Sequence, residues 1–483
     1  MSDPTALFTA TFDCALCSAA MRLDRACGPA RIDAVARSRL DELVAHARER
    51  SPLYRERYAG LPARPALADL PPVGKRELMA RFDDWATDRR IARAPLERFL
   101  ADPQRAGDRW LGAYTVWTSS GTTGEPGIFV QDDAALAVYD ALVMAQSDPR
   151  EWGPRELARC ATAGGGMALV VATGAPHPGI VAWRRIARLN PTLAGRAYPI
   201  TLPLPELVAA LARHRPAFLA TYPTMALLLA RERLAGRLPI APAMVWCGGE
   251  CMSQAAREAV AAAFDCPVHD EYGAAESFSI AAACAHGAMH LHADWVLLEP
   301  VDRLLRPVPP GTRSHTVLLT NLANRVQPII RYDLGDSVRV LRQPCPCGNP
   351  LPAIEVHGRT DDTLSLASGD GVVVPIVPLA LESVVEEALG AVPFQLVAEG
   401  ARALRLRLAR TGPGATTPAR RRACRRALLG YLASQGLGDV RVVDDAGEPA
   451  IDARSGKLRR VIAAGPPPPS RPRPGRTRRE ARP

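Results

Sequence analysis

A turn rich in hydroxyl groups and glycine lies between two short apolar segments near residue 120. Residues 114–117 predict a strand, the turn TSSGTTGEP follows at 118–126, and residues 128–130 predict a second strand. Glycines let backbone N–H groups crowd toward an anion, and Ser and Thr hydroxyls add donors, so the turn is suited to holding a polyphosphate. It is not a Walker loop, because no Gly-Lys-Ser/Thr follows. An ordinary Ser/Thr/Gly hairpin would have the same composition, and the turn alone leaves both interpretations open.

Four further segments, in order along the chain, strengthen the first interpretation. They are GGE at 248–250, EYGAAE at 271–276, RYDLGD at 331–336 with GRTDD at 358–362, and RSGKL at 454–458. Together with the turn they resemble the adenylate-forming acyl- and aryl-CoA synthetase superfamily. The sequences PIIRYDLGD at 328–336 and CPCG at 345–348 resemble its phenylacetate–CoA ligase-like branch. Five ordered matches are much less expected by chance than any single short motif.

The resemblance implies an α/β fold with a large layered N-terminal adenylation domain and a small mobile α+β C-terminal domain. It implies a two-step reaction, in which ATP activates a carboxylic acid, aromatic and phenylacetate-like, to an acyl-AMP before the acyl group passes to coenzyme A. Pyrophosphate and AMP are the other products. The implied cofactors are ATP, Mg²⁺ and coenzyme A.

The resemblance also implies which residues bind the nucleotide. They are Ser119, Ser120, Gly121, Thr122, Thr123, Gly124, Gly248, Gly249, Glu250, Glu271, Tyr272, Gly273, Asp336 and Arg359. Tyr272 offers a flat face for adenine, while Gly248 and Gly249 let backbone approach the other face. Asp336 resembles the family's ribose ligand, and Arg359 resembles the cation that contacts the nucleotide from the domain junction. In isolation, Asp336 and Arg359 would more often be members of routine ion pairs.

Three residues are implied to be catalytic, namely Thr122, Glu276 and Lys457. Glu276 resembles the carboxylate that holds Mg²⁺ against the ATP phosphates. Lys457 would bring its ammonium beside the reacting carboxylate and the α-phosphate, and loss of such a preorganised donor costs on the order of 10²–10³ in rate. Asp361 resembles the hinge about which the small domain rotates between the two half-reactions.

Cysteine and histidine residues predict a metal site. The set is Cys284, His290, Cys345 and Cys347. Three thiolates and one imidazole suit tetrahedral Zn²⁺, and four filled positions leave none open for water, so its role would be structural. His286 and His292 compete with His290, which is preferred because phenylacetate–CoA ligase-like proteins resemble this spacing. Buried free thiols beside a coincidental histidine are the alternative interpretation.

Two positions depart from the family pattern. Residues 364–371, LSLASGDG, replace an expected Arg-Gly pair in a region that helps to form the thioester-making site. Coenzyme A, the pantetheine arm of a carrier protein and an amine therefore stay open as acceptors. Glu125 stands where many relatives carry lysine, which removes one positive contact to phosphate. Residues 222–225 and 164–167 are candidates for the pocket of the acid, whose identity does not follow from the sequence.

Three functional hypotheses follow. The first is an acid–CoA ligase, the second a stand-alone adenylating enzyme that loads a carrier protein or forms an amide, and the third a catalytically silent ATP-binding or scaffold protein. The presence of Glu276, Asp336 and Lys457 argues against the third.

The predicted elements change in character along the chain. The first 110 residues have helical periodicity, residues 114 to about 340 alternate short apolar strands with Ala-rich helices, and smaller units follow residue 357. We predict an adenylation domain at 1–357, a lid domain at 358–463 and a disordered Pro/Arg tail at 464–483.

Composition narrows the class of protein. A chain of 483 residues with 47% hydrophobic composition can bury a large core. No apolar run approaches the roughly 20 residues that a membrane span needs, and the N-terminus, with acidic Asp3 and Asp13, lacks the basic start and apolar stretch of a secretory signal, so a cytoplasmic location without a membrane partner is expected. The tail at 466–483 supplies +5 of the net charge of +10, and aromatic residues make up only 5%, which disfavours nucleic-acid binding. A homodimer is left open.

Overall fold

The computed structural model describes residues 4–119, 126–146, 153–163, 165–189, 195–357, 364–390, 392–410, 416–450 and 460–462. The N-terminal region is helical, as predicted. Its helices are α1 Pro4–Ala26, α2 Pro29–Arg50, α3 Pro52–Arg57, α4 Lys75–Ala80, α5 Phe82–Trp85 and α6 Arg93–Leu100. Helix α2 buries Ile32, Leu40 and Leu43 on one face, which is the amphipathic pattern expected of a helix packed on a larger body.

A nine-stranded mixed sheet forms the centre of the fold, in the order β13-β14-β9-β8-β7-β6-β5-β3-β4. The strands are β3 Gly165–Val171, β4 Arg196–Pro199, β5 Pro216–Thr221, β6 Met244–Gly248, β7 Val268–Tyr272, β8 Ala281–Ala283, β9 Met289–Leu291, β13 Val338–Val340 and β14 Ala353–Val356. Strands β3 to β7 pair in parallel, whereas β8, β9, β13 and β14 pair antiparallel. The carboxyl ends of β5, β6 and β7 therefore meet at one edge, where ligands bind in open α/β sheets.

Helices cover both faces of this sheet. They are α7 Asp133–Gln146, α8 Pro154–Thr162, α9 Pro178–Leu189, α10 Leu204–His214, α11 Pro223–Leu234 and α12 Gln254–Phe264. Along β3, Leu169 and Val171 belong to one buried cluster, whereas Ala168 and Val170 belong to another. Because successive strand residues face opposite sides, these two clusters are the two faces of the sheet.

Two smaller sheets accompany the nine-stranded sheet. A hairpin joins β1 Thr115–Thr118 to β2 Ile128–Gln131, with Thr118 opposite Ile128. This confirms the two strands predicted around the hydroxyl-rich turn. A three-stranded antiparallel sheet contains β10 Val296–Val301, β11 Thr316–Asn321 and β12 Ile329–Asp333.

The C-terminal region forms a small α+β unit with its own core. It contains the hairpin β15 Leu364–Ala367 and β16 Val373–Ile376, then α13 Pro378–Leu389, β17 Phe394–Ala398, β18 Ala403–Leu408, α14 Pro418–Ser434, β19 Arg441–Asp444 and β20 Val461–Ile462. In β18, Leu404, Leu406 and Leu408 are buried whereas Arg405 is exposed, so one face of the strand packs on the core of this unit. The α/β class is thus confirmed. The exact domain limits stay a prediction, and the tail after residue 463 lies outside the described residues.

No helix within the described ranges is both long enough and apolar enough to cross a bilayer.

Candidate functional site

The predicted glycine pair lies at the carboxyl end of β6. Gly248 ends the strand and Gly249 has a φ of +81°, which L side chains rarely adopt. A Cβ at Gly249 would lie 3.0 Å from the ring of Tyr222. A larger residue would therefore be strained and would crowd Tyr222, which follows β5 at the same edge of the sheet.

Glu250 is engaged at the start of α11. Its carboxylate accepts hydrogen bonds from the backbone N–H of Thr224 at 3.0 Å and from the Thr224 hydroxyl at 2.8 Å. A carboxylate there satisfies N–H groups that have no partner within the helix. The geometry gives Glu250 a positioning role for α11, and its contact with a nucleotide stays a prediction.

Tyr272 and Asp336 lie together although 64 positions separate them in sequence. The Tyr272 hydroxyl donates to Asp336 Oδ2 at 2.8 Å, and burial raises the pKa of this tyrosine. At Gly273 a Cβ would lie 2.1 Å from the carbonyl oxygen of Phe278, so only glycine fits after Tyr272 without displacing backbone. The predicted adenine and ribose residues therefore belong to one cluster.

Glu276 is buried in the turn after β7. Its Oε1 accepts from the Tyr332 hydroxyl at 2.8 Å, and Tyr332 lies on β12. The indole N–H of Trp117 donates to the carbonyl oxygen of Ala275 at 2.8 Å. Since Trp117 lies on β1, this bond holds the hairpin that carries the hydroxyl-rich turn against the segment of Glu276.

Two hydrogen bonds join Ser119 and Gly127 at the base of the hydroxyl-rich turn. The Ser119 N–H donates to the Gly127 carbonyl at 2.9 Å, and the Gly127 N–H donates to Ser119 Oγ at 2.8 Å. The predicted ligands of the turn beyond Ser119 lie outside the described residues. They are Ser120, Gly121, Thr122, Thr123 and Gly124.

Sequence reasoning missed Lys75. Its ammonium donates to Ser119 Oγ at 3.0 Å, at the entrance to the turn. A compositional signal was present, because the chain has 60 lysine and arginine residues and only two of them, Lys75 and Lys457, are lysine. Helical periodicity gave no reason to connect residue 75 with residue 119.

Arg359, Asp361 and Lys457 also lie outside the described residues. The described residue that follows Lys457 most closely is Arg460, whose buried guanidinium pairs with Glu386 and, at 3.4 Å, with Glu382. Both acids are on α13. Arg460, three residues after Lys457 in sequence, is thus anchored to α13.

The same α13 carboxylate contacts the N-terminal region. Glu386 Oε2 lies 3.4 Å from His177 Nε2, and His177 Nδ1 lies 3.4 Å from the carbonyl oxygen of Thr118. Burial alone would raise the pKa of Glu386, but the hydrogen bond with His177 and the charge of Arg460 hold it below its ordinary value. A line of polar contacts therefore connects Arg460 to the first residue of the hydroxyl-rich turn.

The four predicted metal ligands converge. One ligand atom from each of Cys284, His290, Cys345 and Cys347 lies within 4.8 Å of all the others. Cys284 Sγ is 3.7 Å from Cys345 Sγ, and Cys347 Sγ is 3.2 Å from His290 Nε2. Ligands 2.3 Å from a tetrahedral zinc would be about 3.8 Å apart, so the spacing fits a small metal ion.

The orientation of His290 also fits metal binding. Its Nδ1 lies 3.0 Å from the carbonyl oxygen of Leu351, which can only accept, so Nδ1 carries the proton and the lone pair of Nε2 faces the thiols. His286 is exposed and His292 contacts Arg25, and neither is in the cluster. The structure thus brings together the predicted set with His290.

Glu271 points into a buried polar group instead of toward open solvent. Its Oε2 accepts from the indole N–H of Trp246 at 3.2 Å, and burial raises the pKa of this carboxyl to about 7. Gln146 and Ser279, which hydrogen bond to each other at 3.3 Å, complete the group. The predicted contact of Glu271 with the nucleotide stays a prediction.

The raised pKa makes stability depend on pH. Between the ordinary pKa of a glutamate and about 7, the folded protein binds a proton that the unfolded chain does not, so the free energy of unfolding falls as pH rises through this interval. Glu271→Gln removes the ionisable group. We expect the free energy of unfolding of the variant, relative to that of wild type, to increase by about 3 kcal/mol between pH 5 and pH 8.

Chemical denaturation at the two pH values measures this gain. Glu206→Gln, on the exposed side of α10, is the matched control. Its free energy of unfolding should differ from that of wild type by the same amount at both pH values. A difference for Glu271→Gln that does not change with pH would contradict the prediction.

The chain was compared with protein families, curated proteins and solved structures. No protein-family model matches the chain, and no curated protein matches it. Among solved structures, it is similar to 2-hydroxyisobutyryl-CoA ligase in complex with 2-HIB-AMP and CoA in the thioesterification state, with a TM-score of 0.53, 22% identity and coverage of 90% of both chains. The same ligase in the postadenylation state with 2-HIB-AMP gives a TM-score of 0.50, 21% identity and the same coverage. At this identity the likeness shows that the two proteins share a fold.

Proposed function

We propose that this protein is an ATP-dependent acid–thiol ligase that converts a carboxylic acid to an acyl-AMP and then to an acyl-CoA. The proposal depends on two hydrogen bonds, one from Tyr272 to Asp336 and one from Tyr332 to Glu276. They lie at the edge where Trp117 holds the hydroxyl-rich hairpin. The fold shared with a ligase solved with an acyl-adenylate and CoA supports it.

In the first step, a carboxylate oxygen of the acid attacks the α-phosphorus of ATP, and the bond from that phosphorus to the bridging oxygen breaks to release pyrophosphate. Tyr272 stacks on adenine and Asp336 accepts from the ribose hydroxyls. A buried carboxylate such as Glu276 fits Mg²⁺, which when bound neutralises phosphate charge. Lys457 stabilises the charge that develops between the two reactants.

In the second step, the thiol of coenzyme A loses its proton to solvent, its sulfur attacks the acyl carbonyl carbon, and AMP leaves with the electrons of the broken C–O bond. The hairpin β15–β16 contains residues 364–371, the segment that departs from the family pattern. It is the part of the small unit proposed to face the thiol. A carrier protein's pantetheine arm and an amine are the alternative acceptors.

For the acid we propose an aromatic, phenylacetate-like compound, on the resemblance of residues 328–336 and 345–348. The candidate pocket segment at 222–225 supports a site near the glycine pair, since Tyr222 lies against Gly249 and its hydroxyl accepts from the Ala172 N–H at 3.3 Å. Of the other candidate segment, residues 165–167 begin β3 and Gly164 lies outside the described residues.

A structural Zn²⁺ in the Cys284, His290, Cys345 and Cys347 cluster is part of the same proposal. Thiolate and imidazole donors suit this ion, and the measured ligand spacing fits its radius. The ion would crosslink two chain segments and take no part in the reaction.

Exchange of labelled pyrophosphate into ATP tests the function. We expect exchange that requires Mg²⁺ and one member of a panel of aromatic and aliphatic acids, and AMP formation that becomes rapid when coenzyme A is added. Exchange without acceleration by coenzyme A would favour the carrier-protein or amide-forming alternative. Folded protein that exchanges no pyrophosphate with any acid would rule the proposal out.

A further inference from the structure

His177 lies where the small C-terminal unit meets the N-terminal region. It is in the loop that joins β3 to α9, and its Nε2 lies 3.4 Å from Oε2 of Glu386, on α13 of the small unit. Its Nδ1 lies 3.4 Å from the carbonyl oxygen of Thr118, the last residue of β1. The side chains of His177 and Glu386 are only 18% and 13% exposed, so solvent and salt screen their interaction less than that of a surface pair.

Both nitrogens of the His177 ring face oxygen atoms that can only accept. The Thr118 carbonyl has no proton to donate, and Glu386, which also pairs with Arg460, is a carboxylate. Burial acts to raise the pKa of Glu386, but its hydrogen bond with His177 and the charge of Arg460 hold it below its ordinary value. A neutral imidazole has a single N–H and could donate to one of these oxygens, whereas an imidazolium donates to both. The geometry is therefore that of a protonated histidine.

Several other charged or titratable groups lie around this histidine. They are Glu382, Glu386 and Glu387 on α13, Arg460 before β20, and Tyr222 after β5. Burial raises the pKa of Tyr222, so its hydroxyl stays neutral, and burial together with the charge of Glu386 raises the pKa of Glu387. Histidine is the side chain whose charge ordinarily changes between about pH 5 and 8. Substitution at position 177 separates its effect from that of Glu387, which is present in every variant.

Apolar packing at the same junction comes from the start of α13. Val377 and Ala380 belong to the buried cluster on one face of the central sheet, and Leu379 packs against it. At the end of α14, the side-chain amide of Gln435 donates to the carbonyl oxygen of Thr201 at 3.2 Å. Contacts between two units of one chain resemble a transient interface, in which relative motion is the default expectation. A charge-assisted contact can therefore decide how long the small unit holds this arrangement.

We propose that the protonated imidazole of His177 is a pH-sensitive latch, which holds α13 of the small unit against the loop after β3 and opens when the ring loses its proton. His177 is a positioning residue, since it acts through Glu386 and touches no reacting atom. The inference rests on the proposed function, because the two steps of that reaction use different parts of the small unit, Lys457 first and the hairpin β15–β16 second. The competing explanation is that His177 only packs at the junction.

Hydrogen exchange of the full chain, followed by mass spectrometry, tests the latch without turnover. Peptides that cover β1, the loop after β3 and α13 should report its opening, because the Thr118 N–H donates to the carbonyl oxygen of Pro176 at 2.9 Å. After correction for the intrinsic pH dependence of exchange, we expect wild-type protection of these peptides to fall by about tenfold between pH 6 and pH 8, because a charge-assisted hydrogen bond is lost. Equal protection at the two pH values would overturn the inference.

Two substitutions at the same position separate charge from packing. His177→Gln is neutral at both pH values and should give low protection at both, whereas His177→Arg is cationic at both and should keep at pH 8 the protection that wild type has at pH 6. Glu386→Gln removes the acceptor charge and should resemble His177→Gln, and it replaces that variant in the test if His177→Gln does not fold. His315→Gln, at a half-buried histidine outside the junction, is the matched control and should behave as wild type. Wild-type protection of His177→Gln at pH 6 would show that the ring only packs and would refute the latch.

Kinetics of the two steps provide the second test. The variants are compared at pH 8, so that ionisation of the acceptor thiol is the same for both. We expect His177→Gln and His177→Arg to differ by about threefold or more in the ratio of two rates, acyl-AMP formation and thioester formation from a supplied acyl-AMP, because the latch changes the population of one arrangement of the small unit. Equal ratios in the two variants would overturn the positioning role.

The outcomes separate this inference from the proposed function. If wild type exchanges no pyrophosphate with any acid, but its hydrogen exchange depends on pH and His177→Gln removes that dependence, the latch stands and the proposed reaction fails. If pyrophosphate exchange is found and the junction peptides are equally protected at pH 6 and pH 8, the reaction stands and the latch fails.

Discussion

Replacing Lys457 by alanine is expected to lower the rate of acyl-AMP formation by about 10²–10³-fold while changing the dissociation constant of ATP by no more than a few-fold. The reason is that the ammonium is proposed to act on charge that develops only in the transition state. Interactions made only there alter kcat and leave ground-state binding nearly intact. Single-turnover measurement of acyl-AMP together with calorimetric titration of ATP checks both parts.

The two half-reactions sharpen this test. Lys457→Ala should still make acyl-CoA from a supplied acyl-AMP, because pyrophosphate departure is then bypassed. Arg459→Gln, two residues further on, is the control for general damage to the segment. Wild-type rates of adenylation in Lys457→Ala would remove the catalytic assignment.

The position of Arg460 links the small unit to the base of the hydroxyl-rich turn. Its guanidinium is buried against Glu382 and Glu386, and Glu386 also contacts His177 beside Thr118. At the same junction, a Cβ on Gly174 would lie 2.2 Å from Glu387 Oε1. A close contact of this kind between the loop after β3 and α13 links the arrangement of the small unit to the base of the turn.

Local patterns predicted several parts of the molecule well. The two strands around the turn, the amphipathic α2 and the alternating residues of β18 follow from periodicity, because each depends on residues near one another in sequence. The metal ligands were also predicted, the cysteines from their residue types and the Cys-x-Cys pair, and His290 from the resemblance to phenylacetate–CoA ligase-like proteins. Their convergence depends on the pairing of β9 with β14, which no spacing encodes.

Other features depend on long-range register and could not be predicted. Lys75 meets Ser119 only because Val73 bridges to β12, a contact across more than 250 positions. Glu250 and Glu271 matched family segments, yet their carboxylates contact Thr224 and Trp246. Their side chains are directed by the neighbouring strands and helix, and a sequence motif does not specify such contacts.

Loss of the proposed zinc is expected to have the largest effect on stability. Residues 341–350, which supply Cys345 and Cys347, are mostly exposed and so contribute little to a hydrophobic core. Strand β14 beyond them pairs with β9 through only two residue pairs, Ala353 with His290 and Ile354 with Met289. A metal crosslink from Cys284 and His290 to Cys345 and Cys347 would therefore restrain this edge of the sheet in addition to the buried Leu351 and Ile354.

We expect purified protein to contain about one zinc per chain, and Cys345→Ser to lose it. If free zinc is near 1,000 times its dissociation constant, the ion contributes about 4 kcal/mol to the free energy of unfolding, and the variant should lose this amount. Metal analysis and chemical denaturation measure the two quantities. Cys160→Ser, at a half-buried cysteine outside the cluster, should keep both the metal and wild-type stability.

The effect should extend to the nucleotide. Asp336 precedes β13 by two residues, and β13 pairs with β14 at Val338–Val356 and Arg339–Glu355. Because Asp336 also accepts from Tyr272, loosening of β14 should weaken ATP binding, by less than direct loss of the carboxylate in Asp336→Asn does. A zinc-free Cys345→Ser protein with unchanged stability and ATP affinity would show that the metal has no structural role, and wild-type protein without zinc would show that the cluster is a set of free thiols.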